Sequence, residues 1–357
     1  MNTKTLWKWH AWMGLIAGLP LLVIAISGSI LVFKDEIDSL LIPELMRVEV
    51  PAGADPLPLE ERLAVLQREL PDHEVTGWAF YPEPDRADFV YLMEHGDSEW
   101  LHVFQNPYTG QLLSQPAASE SRLTGWVLSL HYELLAGHTG LLVCGLLGVV
   151  LCLLGISGLL IYRRFWASFF TLRWRSSLRL LSGNLHKRIG LVSAPVFLIL
   201  GITGAWWNLS HIVEEIQHVT SGEEHEVAMQ ERLYRSDLPL DELAAKTKGA
   251  LPGLRINYLS FPWEPGVPLT FFGDFEDDGA LRSPYHSTAS FDAQTAEPLG
   301  HQHIRDASAF RQTLDTFGPL HYGTFGGLAT RILWCILGSA PAFLALSGFV
   351  VWWKRRQ

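Results

Sequence analysis

The stretch "LLVCGLLGVVLCLLGISGLLIY" occupies residues 141–162 and contains 22 residues without one charged side chain. A helix needs about 20 predominantly apolar residues to cross the hydrocarbon core of a bilayer. A buried helix of a soluble protein rarely has an uncharged run of this length. We therefore predict a membrane-spanning helix here and an α-helical membrane protein as the fold class.

Three further runs share this length and this lack of charge, and they lie at 12–33, 189–209 and 332–353. Together the four runs predict four transmembrane helices. The first run has the basic start of a secretory signal peptide, because Lys4 and Lys8 precede it. It is too long for such a peptide, however, and no A-x-A cleavage site follows it. We expect it to remain in the protein as a helix.

The uneven distribution of basic residues predicts the topology. The segment 163–188 carries seven Lys or Arg and no acid, and the N-terminus and the C-terminal "KRRQ" are also basic and free of acids. Basic loops remain on the cytoplasmic side of a membrane. We therefore expect a multi-pass membrane protein with both termini in the cytoplasm. The 37 acidic residues all fall in the outer segments, and so acidic a surface argues against a nucleic acid partner.

The chain contains an internal repeat. Residues 9–28 align without a gap to residues 185–204, and residues 58–84 align without a gap to residues 239–265. Repeats of this kind in membrane proteins produce a pseudo-two-fold axis. We predict a duplicated unit of helix, outer α/β domain and helix, with both copies inserted the same way up. A side chain present in both copies can then face its counterpart across the axis.

Each outer segment has the pattern of a helix followed by strands, in which apolar and polar residues alternate. In the first copy these strands are "EVTGWAFY", "ADFVYLME" and "EWLHVFQ". The predicted organisation therefore has seven parts. They are a first transmembrane helix at 9–33, a first outer α/β domain at 34–128, a second transmembrane helix at 129–162, a cytoplasmic loop at 163–185, a third transmembrane helix at 186–211, a second outer α/β domain at 212–318 and a fourth transmembrane helix at 319–353.

Four histidines occur as repeated pairs at the ends of the predicted helices. His10 and His186 lie at the cytoplasmic ends of the first and third, and His131 and His321 lie in "LHY" stretches at the outer ends of the second and fourth. Histidine is the commonest metal ligand, and haem iron takes axial histidines from the facing helices of a bundle. We therefore predict two haems of b type. His10 and His186 would ligate one haem iron, and His131 and His321 the other.

Two alternatives remain open for these histidines. Polar and aromatic residues are common at membrane interfaces, so the four side chains could simply be interfacial. His138 and His211 also lie near the outer surface and are the second choice as outer ligands. From His131 to Arg163 the chain has 32 residues, or roughly 48 Å of helix. The two layers would then be about 35–45 Å apart, a long gap for direct electron transfer.

Several motifs are absent from the sequence. There is no CxxC and no CxxCH, which excludes a zinc ribbon and a covalently attached haem. There is no Gly-rich nucleotide loop, and the cytoplasmic part is too short for a flavin or nicotinamide domain. The three cysteines lie in the predicted helices, so we assign them no disulfide. An electron donor must therefore be a separate molecule in the cytoplasm or the membrane.

The sequence resembles the PepSY-associated transmembrane family over nearly its whole length. The resemblance rests on "WH-x3-GL" at 9–15, "LH-x3-GL" at 185–191 and "NPYTGQLL" at 106–113. The two "LHY" stretches and the Ser/Thr-Gly pairs within the apolar runs add to it. It implies that the protein lies in the bacterial inner membrane and that the two outer domains are PepSY-like and lie in the periplasm.

The resemblance also implies an activity. Members are haem proteins of the inner membrane that pass electrons outward and reduce a ferric siderophore or another ferric chelate in the periplasm. One electron releases the metal, because ferrous iron binds hard oxygen ligands more weakly. The haem-ligand role carries over to His10, His186, His131 and His321 alone. The alternative is a non-redox PepSY protein, anchored in the membrane, that binds or regulates a peptidase or a sensor partner.

Overall fold

The computed structural model describes residues 2–163, 169–170, 177–221 and 229–356. It contains two compact units. The helical unit consists of Met1–Lys34, Leu123–Glu223 and Phe317–Gln357, and the sheet unit consists of Asp35–Arg122 and Glu224–Thr316. Residues 164–168 and 171–176, which form much of the predicted cytoplasmic loop at 163–185, lie outside the described residues.

Twelve α-helices form in the described part of the chain. In chain order they are Thr3–Leu31 (α1), Lys34–Leu41 (α2), Pro43–Met46 (α3), Leu59–Glu69 (α4), Leu123–Glu133 (α5), Gly137–Ile161 (α6), Leu178–Ser221 (α7), Leu240–Ala250 (α8), Ala309–Asp315 (α9), Phe317–Tyr322 (α10), Gly327–Gly338 (α11) and Ala340–Arg356 (α12).

Four helical segments are long and apolar enough to cross a membrane. They are Thr3–Leu31, Gly137–Ile161, Leu178–Glu214 and Thr324–Arg355. They confirm the four predicted transmembrane helices. α1 packs against α6, α6 against α7, α7 against α12, and α12 against α1, so these helices close a ring. Such a ring can hold a ligand between side chains from facing helices.

The predicted helix at 129–162 is divided in the structure. α5 ends at Glu133, and the next two residues, Leu134 and Leu135, have positive φ angles of 54° and 58°. A Cβ atom at Gly140 would lie 1.5 Å from the carbonyl oxygen of Glu133, so only glycine permits this close approach. Hydropathy does not register such a turn, because it averages over a window and carries no information about the direction of the chain.

An asparagine of the neighbouring long helix holds the turn between α5 and α6. The side-chain amide of Asn208, on α7, donates hydrogen bonds to the carbonyl oxygens of Tyr132 and Leu141, at 2.7 and 3.1 Å. These two carbonyls lie on either side of the turn. The amide therefore links the end of α5 to the start of α6, and it satisfies the carbonyl of Tyr132, which an unbroken helix would have satisfied internally.

The predicted helix at 319–353 is also divided. Gly323 has a φ of 71° and separates α10 from the segment that follows, and a second boundary at Ser339 separates α11 from α12. The indole N–H of Trp334 donates a hydrogen bond to the carbonyl oxygen of Leu320 at 2.7 Å, which places α10 beside α11. His131 and His321 thus lie on the short helices α5 and α10 rather than at the ends of long ones.

The sheet unit contains eight strands. They are His73–Ala79 (β1), Asp88–Glu94 (β2), Trp100–Gln105 (β3), Ala117–Ala118 (β4), Arg255–Ser260 (β5), Leu269–Asp274 (β6), Ser287–Phe291 (β7) and Pro298–Gln302 (β8). All pair antiparallel in one sheet of order β4-β3-β2-β1-β5-β6-β7-β8. Each half has a helix followed by four strands, of which the sequence predicts the helix and the first three strands, whereas β4 and β8 were not predicted.

The two outer segments do not form the separate domains expected at 34–128 and 212–318. β1 of the first pairs with β5 of the second, with Trp78 opposite Leu259. Residues of both segments contribute to one buried cluster, in which Leu63 of α4 and Leu243 of α8 take part. The physical reason is that each half alone would leave an unpaired strand at the edge of its sheet. β1 is buried along nearly its whole length, and pairing covers hydrogen-bonding groups that a lone domain would expose.

Candidate functional site

Two histidines from long helices of the ring face each other. His10 on α1 and His186 on α7 form the inner pair, named after the predicted topology. Their ring centroids lie 6.3 Å apart, and their planes are inclined at 83°. Because the two residues occupy aligned positions of the repeat, the geometry agrees with the prediction that repeated side chains meet.

A second pair has the same spacing on a different scaffold. His131 on α5 and His321 on α10 form the outer pair, and their ring centroids also lie 6.3 Å apart, with planes inclined at 67°. The structure therefore brings the four first-choice histidines together as the two pairs that the repeat predicts.

A hydroxyl group orients each histidine of the inner pair. His10 Nδ1 lies 2.8 Å from Ser157 Oγ, and His186 Nδ1 lies 2.9 Å from Ser347 Oγ. Each serine donates its own proton to the carbonyl oxygen three residues earlier, at 3.2 Å. The hydroxyl oxygen must then accept a hydrogen bond from Nδ1–H. Nε2 of both rings is left with a free lone pair, the state a metal ligand requires.

The outer pair repeats this arrangement. Thr203 Oγ1 lies 2.6 Å from His321 Nδ1 and donates to the carbonyl oxygens of the preceding helical turn. Ser27 Oγ lies 3.3 Å from His131 Nδ1 and donates backward in the same way. His131 Nδ1 has a second acceptor, the carbonyl oxygen of Ile24 at 2.9 Å. Both outer imidazoles therefore also carry their proton on Nδ1.

The glycine that follows each hydroxyl residue makes room for the same imidazole. An added Cβ would lie 2.5 Å from Cε1 of His131 at Gly28, 3.5 Å from Cε1 of His10 at Gly158, 3.4 Å from Cε1 of His321 at Gly204 and 3.4 Å from Cε1 of His186 at Gly348. Each Ser/Thr-Gly pair thus receives one histidine from another helix. In the sequence these pairs contributed to the family resemblance, but they did not reveal this role. The signal was present, since four such pairs match four histidines.

The spacing of both pairs fits a metal between two imidazoles. With metal–nitrogen bonds of about 2 Å on opposite sides of one iron, the ring centroids would be roughly 6 Å apart. The described residues contain no group of three or more His, Cys, Asp or Glu that could hold a metal ion unaided. The donor set therefore suits iron whose remaining ligands come from a macrocycle, as in haem.

A cavity of about 250 Å³ lies beside the inner pair, and both His10 and His186 line it. Its walls are mostly apolar, and seven glycines contribute to them: Gly14, Gly18, Gly155, Gly158, Gly183, Gly190 and Gly348. Glycines give a flat gap between helices, because no side chain projects into it. Such a cavity has the character of an apolar ligand site with a few convergent polar groups.

The two pairs are closer than the expected 35–45 Å. Ile24, which contacts His131, follows His10 by 14 residues on α1, or roughly 21 Å at 1.5 Å per residue. Thr203, which contacts the other outer histidine, follows His186 by 17 residues on α7, or roughly 25 Å. The earlier figure was wrong because it extended 129–162 as one helix, whereas α5 turns back beside α1.

The second-choice histidines lie elsewhere in the helical unit. His138 is exposed in the first turn of α6, and the His211 side chain is 72% exposed, with Nδ1 3.8 Å from a carboxylate oxygen of Glu214. The structure does not bring either residue to the outer pair. Trp207 and Tyr322 are aromatic neighbours of the outer pair, with ring centroids 5.0 and 5.8 Å from that of His321. Sequence reasoning had not selected Trp207.

Comparison with known proteins identifies a family. The model of the PepSY-associated TM region matches residues 7–355. An uncharacterized protein of Pseudomonas aeruginosa is 27% identical over 253 residues, which are 64% of this chain. The chain spans less than two thirds of that relative's length, at 63%.

Proposed function

This chain belongs to the PepSY-associated transmembrane family, and we propose that it is a membrane oxidoreductase that binds two haems of b type and passes electrons to a ferric chelate. The observation that carries the proposal is the pair of equivalent histidine sites. Each has two imidazoles 6.3 Å apart. Each imidazole is hydrogen-bonded through Nδ1 to a hydroxyl of another helix. Interfacial histidines would have no reason to share this geometry.

The protein's part in this chemistry is to hold and orient the imidazoles. A bound haem supplies a one-electron carrier that alternates between the ferric and ferrous states. The serine and threonine hydroxyls fix which nitrogen of each ring keeps its lone pair, and they increase the basicity of that nitrogen. The apolar helices around the sites exclude water. The two layers, roughly 20–25 Å apart along the helices, divide the membrane crossing into shorter steps.

The direction of transfer and the substrate rest on the charge distribution and on the resemblance stated above. The acid-free basic segments favour cytoplasmic termini. A one-electron donor in the cytoplasm or membrane would therefore reduce the inner site. A ferric siderophore, or another ferric chelate, would accept that electron in the periplasm. Each electron converts one ferric ion to ferrous iron, which the chelator holds less tightly.

Haem content is the first test. Protein purified in mild detergent from haem-replete cells should show a Soret band, an α band of b type after reduction, and two haems per chain as the pyridine haemochrome. A colourless preparation would contradict the proposal and favour the non-redox alternative, in which the outer segments bind a peptidase or a sensor.

Electron transfer to the chelate is the second test. Anaerobic reduced protein should lose its α band when a ferric hydroxamate chelate is added, and a ferrous indicator should register one ferrous ion for each haem oxidised. The gallium chelate is the matched control, because Ga³⁺ resembles Fe³⁺ in size and charge but does not accept an electron. If the α band persists with the ferric chelate, the protein is a haem carrier with another acceptor.

A further inference from the structure

We propose that Lys187 and Arg355 bind the two carboxylates of a haem in the inner cavity, an inference that rests on the proposed function. Both residues line the cavity that contains His10 and His186. No aspartate or glutamate appears among the described residues of its lining, so its charged lining is entirely positive. A cavity with an apolar body and two cations suits a ligand with an apolar body and two anionic groups.

The two cations contact aromatic rings rather than carboxylates. The Arg355 guanidinium carbon lies 4.4 Å from the centroid of the Trp7 ring, and Lys187 Nζ lies 5.8 Å from the centroid of the Tyr162 ring. Both rings also line the cavity. Within the described residues, neither cation forms a salt bridge. The aromatic faces position the charges but do not neutralise them.

The chemistry of haem b matches this arrangement. Its two propionate side chains extend from one edge of the ring, and each ends in a carboxylate. Arg binds carboxylates through a planar fork, and Lys binds them as a compact point charge. Lys187 follows the ligand His186 directly on α7, and Arg355 follows Ser347, which holds that ligand, by eight residues on α12. The same two helices therefore carry the metal ligand, its hydroxyl partner and both cations.

The first copy of the repeat does not reproduce the charge next to the ligand. At the 176-residue offset that aligns His10 with His186, the residue aligned with Lys187 is Ala11. Lys187 thus adds a positive charge beside one histidine of a pair that is otherwise symmetric. A haem has its carboxylates on one edge only, so this asymmetry gives the bound ring one preferred orientation.

Anionic lipid headgroups share the chemistry of the carboxylates, and cations at a membrane surface bind them as well. A chemical substitution on the ligand separates the two sources. Haem dimethyl ester keeps the iron, the ring and its apolar surface but removes both negative charges. Only a carboxylate subsite makes the protein distinguish the ester from the free acid.

The experiment titrates haem-free full-length protein in mild detergent with ferric haem and with its dimethyl ester, following the Soret band. A His321→Ala background leaves the inner pair as the binding site. The protein should bind the free acid more tightly than the ester. The double variant Lys187→Gln/Arg355→Gln should weaken binding of the free acid about tenfold or more and leave the ester unchanged. Lys354→Gln is the matched control, since it removes a neighbouring cation of α12 that does not line the cavity.

The outcomes are distinct. If the protein with Lys187 and Arg355 intact binds haem and its dimethyl ester equally well, the carboxylate subsite is wrong, whereas the proposal that the protein binds haem stands. The same conclusion follows if the double variant keeps the preference for the acid and instead loses co-purified anionic lipid. Binding of neither form in the original and His321→Ala proteins would contradict the proposed function itself. Unchanged ester binding in the double variant shows that the inner pair is still folded.

Discussion

The inner and outer histidine pairs have the same spacing but are built on different scaffolds. The inner pair joins α1 and α7, helices of 29 and 44 residues that run through the helical unit. The outer pair joins α5 and α10, helices of 11 and 6 residues that turns separate from the long ones. One pair is therefore a product of helix packing, whereas the other depends on two interruptions of the chain.

The interruptions have a cost and a consequence. Leu134 and Leu135 adopt positive φ angles, which are unfavourable for residues with a side chain. In return, α5 lies against α1, so that His131 reaches the carbonyl of Ile24. The outer pair is then roughly 20–25 Å from the inner pair along the helices. The comparison shows that two histidine pairs with the same spacing can be built from different backbone arrangements, one on long helices and one on short helices set off by turns.

The largest expected effect comes from removing a ligand. His10→Ala and His186→Ala should each abolish the same haem, and the double variant should do little more, because residues that act as a unit are not additive. His131→Ala and His321→Ala should behave in the same way toward the other haem. Haem-to-protein ratios, with a check of folding by size-exclusion chromatography, measure this.

The second-choice histidines are the controls for the ligand variants. His138→Ala and His211→Ala should retain both haems, since each side chain is exposed and away from the pairs. If either variant lost a haem while His131→Ala kept both, the outer ligands would be misassigned.

The next-largest effect concerns the glycines that contact the histidine rings, and it should differ between the two pairs. An alanine Cβ at position 28 would lie 2.5 Å from the His131 ring, whereas one at position 158 would lie 3.5 Å from the His10 ring. Overpacking costs about 1–3 kcal/mol, so Gly28→Ala should weaken outer haem binding roughly 5- to 150-fold. Gly158→Ala adds one methyl group to the lining of the inner cavity but meets the His10 ring at an ordinary contact distance, so it should weaken inner binding less. The rate of haem transfer to apomyoglobin measures haem loss from each site. Equal effects of the two substitutions would show that the outer pair is not the more crowded one.

A smaller effect is expected from the hydroxyl partner of an inner ligand. Ser157→Ala leaves the Nδ1 proton of His10 without its acceptor, and loss of such a partner lowers metal affinity about 10- to 100-fold. Ser157→Thr should restore binding, because Thr203 has this role at His321. The haem midpoint potential should shift with Ser157→Ala as well. A Ser157→Thr protein as weak as Ser157→Ala would assign the effect to packing rather than to the hydrogen bond.

Hydropathy predicted the four spans, and the repeat predicted which histidines meet. The turns at Leu134 and Gly323 were missed, because a hydropathy window averages over apolar residues and detects no change of direction. Gly140 was the available signal, since only its missing side chain permits the turn. The shared sheet was missed because β1 and β5 both alternate as expected, and nothing local specifies that they pair with each other.

The smallest effect should distinguish the two members of the outer pair. His131 Nδ1 has two acceptors, Ser27 Oγ at 3.3 Å and the carbonyl oxygen of Ile24 at 2.9 Å. His321 Nδ1 has one among the described residues, Thr203 Oγ1 at 2.6 Å. Ser27→Ala therefore leaves the shorter hydrogen bond in place and should change outer haem affinity less than about threefold. Thr203→Ala removes the hydrogen bond altogether and should cost about 10- to 100-fold.

The measurement is the rate of haem loss from the outer site in a His10→Ala background, which removes the inner haem. Thr203→Ser is the matched control and should bind like the original protein. Because the two variants act on the two members of one histidine pair, any difference between them reflects the second acceptor and not the depth of the site. If Ser27→Ala were as damaging as Thr203→Ala, the Ile24 carbonyl would not hold the proton, and Ser27 would be the true partner of His131.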